Sequence, residues 1–247
     1  MSKVKYTKPP KDEWDVRTNN IRPRKIETIP FAKELKRILP YNNNLSCLEI
    51  GAIPGSFLIY LNKEFGYEIT GIDFSKNTNK FYENMNANDV SEFNFIKADF
   101  FKHSFKKKFD IVCSFGFIEH FDDVKDVVNR HCKLVADKGY LVIEVPNFRN
   151  LQYIYHYIFD KSNLKIHNTT AMKPRYIDKI VTNNGFEKVF SEYVGGVEIW
   201  NDDEPRREFL KKINNKLKPI VNSKKDKVKD SRFYSPMLLM IYKKTDF

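Results

Sequence analysis

Apolar positions along this chain follow two rhythms that alternate between Leu45 and Asn147. Short runs rich in Ile, Val and Phe, at 46–51, 67–74, 93–99, 109–115 and 139–147, are bounded by Gly, Pro, Asp or Asn and read as strands. Between them, 56–65, 75–86 and 122–136 have the length and spacing of helices, with Asp122 or Asp123 as the N-cap of the third. This alternation predicts right-handed crossovers and a parallel sheet covered by helices on both faces. An earlier helix, over 31–39, stops before Pro40.

After Asn147 the pattern changes. Residues 149–168 are rich in aromatics, 174–184 reads as a helix stopped near Gly185, and 186–196 and 235–244 read as two more strands. Between those strands lie a basic, helix-like stretch at 205–217 and a lysine-rich loop. Connections of that length in a compact domain are usually functional or disordered. No repeat or linker divides the chain. The expected organisation is one domain over 1–247, with an N-terminal helical segment (1–44), a cofactor-binding core (45–147) and insertions at 148–172 and 197–234 over a substrate pocket.

Composition narrows the class. With 41% hydrophobic and 30% charged residues, the 247-residue chain has the balance of a globular protein. No apolar run approaches the roughly 20 residues that span a bilayer. The basic N-terminus is followed by no apolar segment, so no secretory signal is expected there. Cys47, Cys113 and Cys132 lack metal-type spacing, and a cytoplasmic location is the simplest expectation. The net charge of +11 is uneven: 206–232 holds 11 Lys/Arg against 3 Asp/Glu. Such a segment attracts nucleic acid, anionic lipid or a phosphorylated substrate, although no RNA-binding signature accompanies it.

Candidate chemistry falls at the strand ends, where open α/β sheets bind ligands. The first strand ends in Glu49-Ile50-Gly51, followed by Gly55 and Ser56. Glycines there let the backbone approach a ligand closely. Asp73, with Phe74, ends the second strand 22 residues after Gly51 and can accept hydrogen bonds from both hydroxyls of a ribose. Asp99 and Phe100 offer a polar acceptor beside an aromatic surface, as an adenine needs, and Ser114-Phe115-Gly116 leads into Glu119-His120. Singly, each feature reads equally well as a turn or a helix cap. In succession, one strand–helix period apart, they point to a nucleoside-like ligand.

On these motifs the chain resembles class I S-adenosylmethionine-dependent methyltransferases, closely over about 45–147. "LEIGAIPGSF" is similar to the family's acidic–x–Gly–x–x–x–Gly motif, "GIDFS" to its ribose motif, "KADFF" to its adenine motif and "FDIVCSFGFIEHF" to its fourth. The resemblance implies a Rossmann-like, doubly wound α/β fold whose mostly parallel seven-stranded sheet has an antiparallel last strand. It also implies S-adenosylmethionine as cofactor and S-adenosylhomocysteine as product. The implied cofactor-binding residues are Glu49, Gly51, Gly55, Ser56, Asp73, Phe74, Asp99, Phe100, Ser114, Phe115 and Gly116. Ile53 replaces a glycine often found in the first motif, and Pro54 removes a backbone donor. A dehydrogenase loop would need Gly-x-Gly-x-x-Gly for its pyrophosphate, which Glu49 would repel; a sulfonium with an ammonium group suits Glu49 better.

A hydroxyl acceptor needs its proton removed, and His120 is the expected base, an imidazole titrating near neutrality. Its plain reading is a helix cap beside Glu119. His156 and His167 are lesser candidates, and His103 and His131 read as surface or helix residues. The run 153–159 reads either as a pocket wall or as a buried amphipathic helix; Trp200 with the carboxylates at 202–204 reads as a further wall, and 17–25 as a clasp over the cofactor. No metal is expected, since the carboxylates of Glu119, Asp122 and Asp123 are neighbours that point apart and no distant partner for them and His120 is identifiable. The expected acceptor is a small molecule, most simply a hydroxyl of a sugar or nucleotide-linked sugar whose diphosphate meets the basic insertion. The alternatives are RNA methylation through that insertion and a non-catalytic cofactor-binding scaffold or partner subunit. Oligomeric state stays open.

Overall fold

The computed structural model describes residue 8, residues 11–201 and residues 207–246. The expected carboxylates at 202–204, the start of the basic helix at 205 and most of the N-terminal segment 1–10 lie outside those residues.

Seven strands, β1 (Ser46–Ile50), β2 (Glu68–Asp73), β3 (Asn94–Lys97), β4 (Phe109–Phe115), β5 (Val135–Pro146), β6 (Phe186–Val194) and β7 (Met237–Lys244), form one sheet in the order β3-β2-β1-β4-β5-β7-β6. β1 to β5 run parallel, and β7 inserts antiparallel between β5 and β6. From β1 the chain winds outward through β2 and β3, then returns to place β4 on the other side of β1. That reversal opens a crevice at the carboxyl ends of β1 and β4.

Alternation along the strands explains why the central runs are apolar throughout. Leu48, Ile50, Val112, Leu141, Ile143, Leu238 and Met240 join one buried cluster. Their neighbours Cys47, Ile111, Cys113, Val142, Leu239 and Ile241 join a second. Successive side chains point to opposite faces, so a sheet covered on both sides needs apolar residues at every position. Helices α2 (Ala32–Ile38), α3 (Ser56–Phe65) and α4 (Asn79–Ala87) supply residues to the second cluster; α5 (Val124–Leu134) and α8 (Pro174–Thr182) supply the first.

The remaining helices are α1 (Lys11–Asn19), α6 (Asn150–Phe159), α7 (Lys161–Lys165) and α9 (Glu208–Asn222). α4 starts at Asn79 instead of the expected 75, because side chains hold the intervening turn. Asp73 Oδ1 accepts from Ser75 N–H at 2.9 Å, and Ser75 Oγ accepts from Asn77 N–H at 3.2 Å. α5 starts after Asp123, whose carboxylate accepts from Asp126 N–H at 2.9 Å, and passes directly into β5 at Val135. α6 buries Gln152, Tyr155, His156 and Phe159, an i, i+3, i+4, i+7 face, so the 153–159 run is an amphipathic helix packed on the body.

His131, on α5, is fully buried. Its Nδ1 lies 2.8 Å from the Val127 carbonyl, and burial lowers its pKa from 6.5 to about 4. The unfolded chain therefore takes up this proton at higher pH than the folded one, so stability is lost as pH falls from about 6.5 through about 4. The stability gap between the wild type and His131→Gln should shift against the wild type by about 3 kcal/mol between pH 7 and pH 4. Urea unfolding of both proteins at the two pH values measures this.

Candidate functional site

The crevice at the strand ends deepens into a cavity of about 610 Å³. Gly51 forms part of its wall, with φ at +78° and its N–H donating to the Ile72 carbonyl at 2.9 Å. A Cβ on Gly51 would stand 2.6 Å from Phe117 Cδ2. Gly55, φ +89°, starts α3, and a Cβ there would press on Met85 and Phe81. The two glycines of this turn thus serve different ends: the first shapes the cavity, and the second lets α3 pack against α4. Ser56 is buried beside Asn84, 3.3 Å away.

The next strand ends bring Asp73 and Phe74, then Asp99 and Phe100, then Phe115 and Gly116 to the same cavity. Asp73 accepts from Ile53 N–H at 3.2 Å and from Ser75 N–H at 2.9 Å, while burial raises its pKa. Ile53, in the place of the expected glycine, lines the cavity and spends its N–H on fixing Asp73. Asp99 Oδ1 accepts from Phe101 N–H at 3.0 Å. Glu49 and Ser114 are buried within their strands and do not line the cavity. Glu49 Oε2 and Ser114 Oγ have no hydrogen-bond partner among the described residues. Desolvation pushes the Glu49 carboxyl well above its usual pKa; the Leu58 backbone N–H opposes this and the charge of Asp73 adds to it.

The roof is helix α1, which contributes Trp14, Arg17 and Thr18, with Ile21 following. Asp15 anchors it, accepting from Ser75 Oγ at 2.8 Å and from Lys76 N–H at 2.9 Å, while its carbonyl accepts from Asn77 Nδ2 at 2.6 Å. The Trp14 ring stands edge-on to His120 with centroids 4.4 Å apart. Of the clasp expected at 17–25, Arg17, Thr18 and Ile21 reach the cavity.

A second cavity, of about 390 Å³, shares Gly116 and His120 with the first. Its polar lining is Glu119, Glu144, His167, Glu198 and Lys225, with Trp200 beside them. Glu198 and Lys225 pair at 2.6 Å. Burial raises the Glu144 pKa to about 8. His120 Nδ1 lies 3.1 Å from the Ile166 carbonyl, which can only accept, so Nδ1 is set to donate; the Gly116 backbone is a second hydrogen-bond partner of the ring. Burial lowers the His120 pKa to about 4, the Ile166 hydrogen bond opposing it and Arg17 adding to it. The imidazole is uncharged at pH 7 and a weaker base than the near-neutral group expected for it.

Residues sequence reasoning ranked low or missed complete the site. His167 lies with Glu119 and His120, their ligating atoms all within 4.8 Å of one another. It is the distant partner whose absence argued against a metal; Asp122 and Asp123 instead border the first cavity. His156 is buried on α6 against Asp160 at 3.3 Å and lines neither cavity. Trp14 and Glu144 had not been singled out. Glu144 had a signal, a lone carboxylate in the run Val142-Ile143-Glu144-Val145 at a strand end.

The sequence profile of a family described as a methyltransferase domain matches residues 23–191. A SAM-dependent methyltransferase from Archaeoglobus fulgidus is 25% identical, with 86% of this chain and 92% of that one covered and a TM-score of 0.56. N-methyltransferase NodS from Bradyrhizobium japonicum WM9, in complex with S-adenosyl-L-homocysteine, is 15% identical, with 95% and 98% covered and a TM-score of 0.57. The complex between the Haloferax volcanii Trm112 methyltransferase activator and its methyltransferase gives a match at 13% identity, covering 96% of each chain, with a TM-score of 0.62. No curated protein matches.

Proposed function

Because the chain belongs to the methyltransferase-domain family and is a class I S-adenosylmethionine-dependent enzyme, we propose that its acceptor is a hydroxyl of a sugar or nucleotide-linked sugar held in the second cavity. The observation that carries this reading is that Gly116 and His120 border both cavities, so two reactants can meet there.

The first cavity suits the cofactor, which supplies an activated methyl on a sulfonium. Asp73 would take the ribose hydroxyls, Asp99 and Phe100 the adenine, and Phe115 and Gly116, backed by Ser114, the methionine portion. The unpartnered Glu49 Oε2 supports a cationic group nearby. A bound cation would offset the desolvation that now favours its protonated form. Gly51, Gly55 and Ser56 hold the turn that joins these parts.

The second cavity suits a hydroxylated acceptor. Carboxyl groups hydrogen-bond to hydroxyls, and Trp200 offers an apolar face to a sugar ring. In the reaction the acceptor oxygen bonds to the methyl carbon as the carbon–sulfur bond breaks, the sulfur keeps the electron pair, and the hydroxyl proton leaves. His120, at the junction of the two cavities, takes part in activating that hydroxyl.

Incubation with methyl-labelled S-adenosylmethionine and separate pools of free sugars, nucleotide-linked sugars and generic RNA tests the assignment. Label should appear as a base-stable ether on a sugar. Label confined to RNA would favour the basic insertion as an electrostatic handle, and binding of cofactor with no transfer to any pool would favour the scaffold reading.

A further inference from the structure

Glu119 is fully buried, and neither of its carboxylate oxygens has a hydrogen-bond partner among the described residues. An ionised carboxylate in that position is costly unless a cation meets it. Two imidazoles face it. His120 donates from Nδ1 to the Ile166 carbonyl at 3.1 Å, and His167 donates from Nδ1 to the Asn163 carbonyl at 2.7 Å. Both carbonyls can only accept, so each Nδ1 is set to donate to its carbonyl, and the ligating atoms of Glu119, His120 and His167 lie within 4.8 Å of one another. Glu119 Oε1 is 3.7 Å from His120 Nε2. With Glu119 ionised against a cation, the cluster offers one carboxylate and two imidazoles as ligands. Glu144, from β5, lines the same cavity and adds a further carboxyl.

We propose that Glu119, His120 and His167 form a divalent transition-metal site, of the class that takes Zn²⁺, Mn²⁺, Fe²⁺ or Co²⁺, at the junction of the two cavities.

The donor set selects this class. Two neutral imidazoles and one carboxylate suit borderline metals, whereas Mg²⁺ and Ca²⁺ favour oxygen alone. Two ligands about 2.1 Å from a tetrahedral ion stand about 3.4 Å apart, close to the Glu119–His120 separation. A carbonyl behind each imidazole is the usual orienting partner of a metal-bound histidine. Three protein ligands leave a position open, and His120 and His167 both line the second cavity toward which it would turn. The proposal rests on the reading of that cavity as the acceptor site. An acceptor hydroxyl bound to the ion would lose its proton more readily, which would activate it for attack on the methyl group. His120 then acts as a ligand, and the acceptor oxygen binds beside it.

The test uses the full chain stripped with a chelator and titrated with Co²⁺, followed by visible absorption, in parallel with S-adenosylhomocysteine added in a thermal-shift assay. One Co²⁺ per chain with ligand-field bands is expected, and Glu119→Gln and His167→Gln should each raise the Kd at least ~10-fold while the shift by S-adenosylhomocysteine persists. Stripped wild type that binds S-adenosylhomocysteine but no Co²⁺ would overturn the metal site and leave the methyltransferase reading standing. Co²⁺ binding unchanged in both variants would also overturn it. Co²⁺ binding that depends on both residues, in a protein that ignores S-adenosylhomocysteine, would uphold the metal site and sink the reading of the first cavity.

Discussion

His120→Ala should lower the rate of methyl transfer by roughly 10²–10⁴-fold while S-adenosylhomocysteine still binds. The side chain sits at the only residue pair, with Gly116, that lines both cavities among the described residues. On the proposed reading its loss removes a side chain from the place where the two reactants would meet, whether the imidazole would act directly or through an ion. The residues proposed to hold the cofactor at the ends of β2 and β3 are untouched, so the defect should fall on kcat far more than on cofactor affinity. Single-turnover transfer and a calorimetric titration with S-adenosylhomocysteine, run on the same preparation, separate the two. An unchanged rate with intact binding would remove His120 from the reaction.

Gly51→Val should abolish detectable binding of S-adenosylhomocysteine and destabilise the fold by about 1–3 kcal/mol. Two independent costs coincide at this residue. Its φ of +78° is unfavourable for any residue with a Cβ and most of all for a β-branched one. The added carbon also lands 2.6 Å from the Phe117 ring, which must swing into the cavity or push the β1–α3 turn away from Asp73. Either movement disturbs the place where Ile53 N–H fixes the Asp73 carboxylate. Thermal unfolding with and without S-adenosylhomocysteine reads both effects, and a variant that keeps the wild-type ligand shift would contradict the role given to this turn.

The alternation of β and α elements, the sheet with its antiparallel last strand and the row of residues at the strand ends were legible because each depends on local pattern. A strand covered on both faces must be apolar at every position, and a turn with φ above zero asks for glycine. Helix α1 was not legible for the same reason. "KDEWDVRTN" buries none of its described side chains, so it carries no apolar period, and hydrogen bonds from a distant turn hold it in place. The partnership of His120 with His167 was hidden differently. Forty-six residues separate His120 from Ile166, the carbonyl beside His167 that orients it, and only the docking of the segment after α7 brings them together. Neighbouring carboxylates were visible in the sequence; which of them would be sealed from water was not. Glu119 is sealed and Asp122 and Asp123 are not, because Glu119 lies in the 3₁₀ turn Ile118–His120, whose three residues are all buried.

Helix α1 roofs a cavity deep enough to enclose a nucleoside, yet its described residues rest on that cavity without entering the core. Lifting it away would break the hydrogen bonds gathered at Asp15 and Asn77 and the edge-on contact of Trp14 with His120. Segments held in this manner open at far lower free energy than the sheet beneath them. A local unlatching of α1 would therefore uncover the first cavity with the seven strands undisturbed, and the grip of one aspartate on a serine and a backbone amide opposes it.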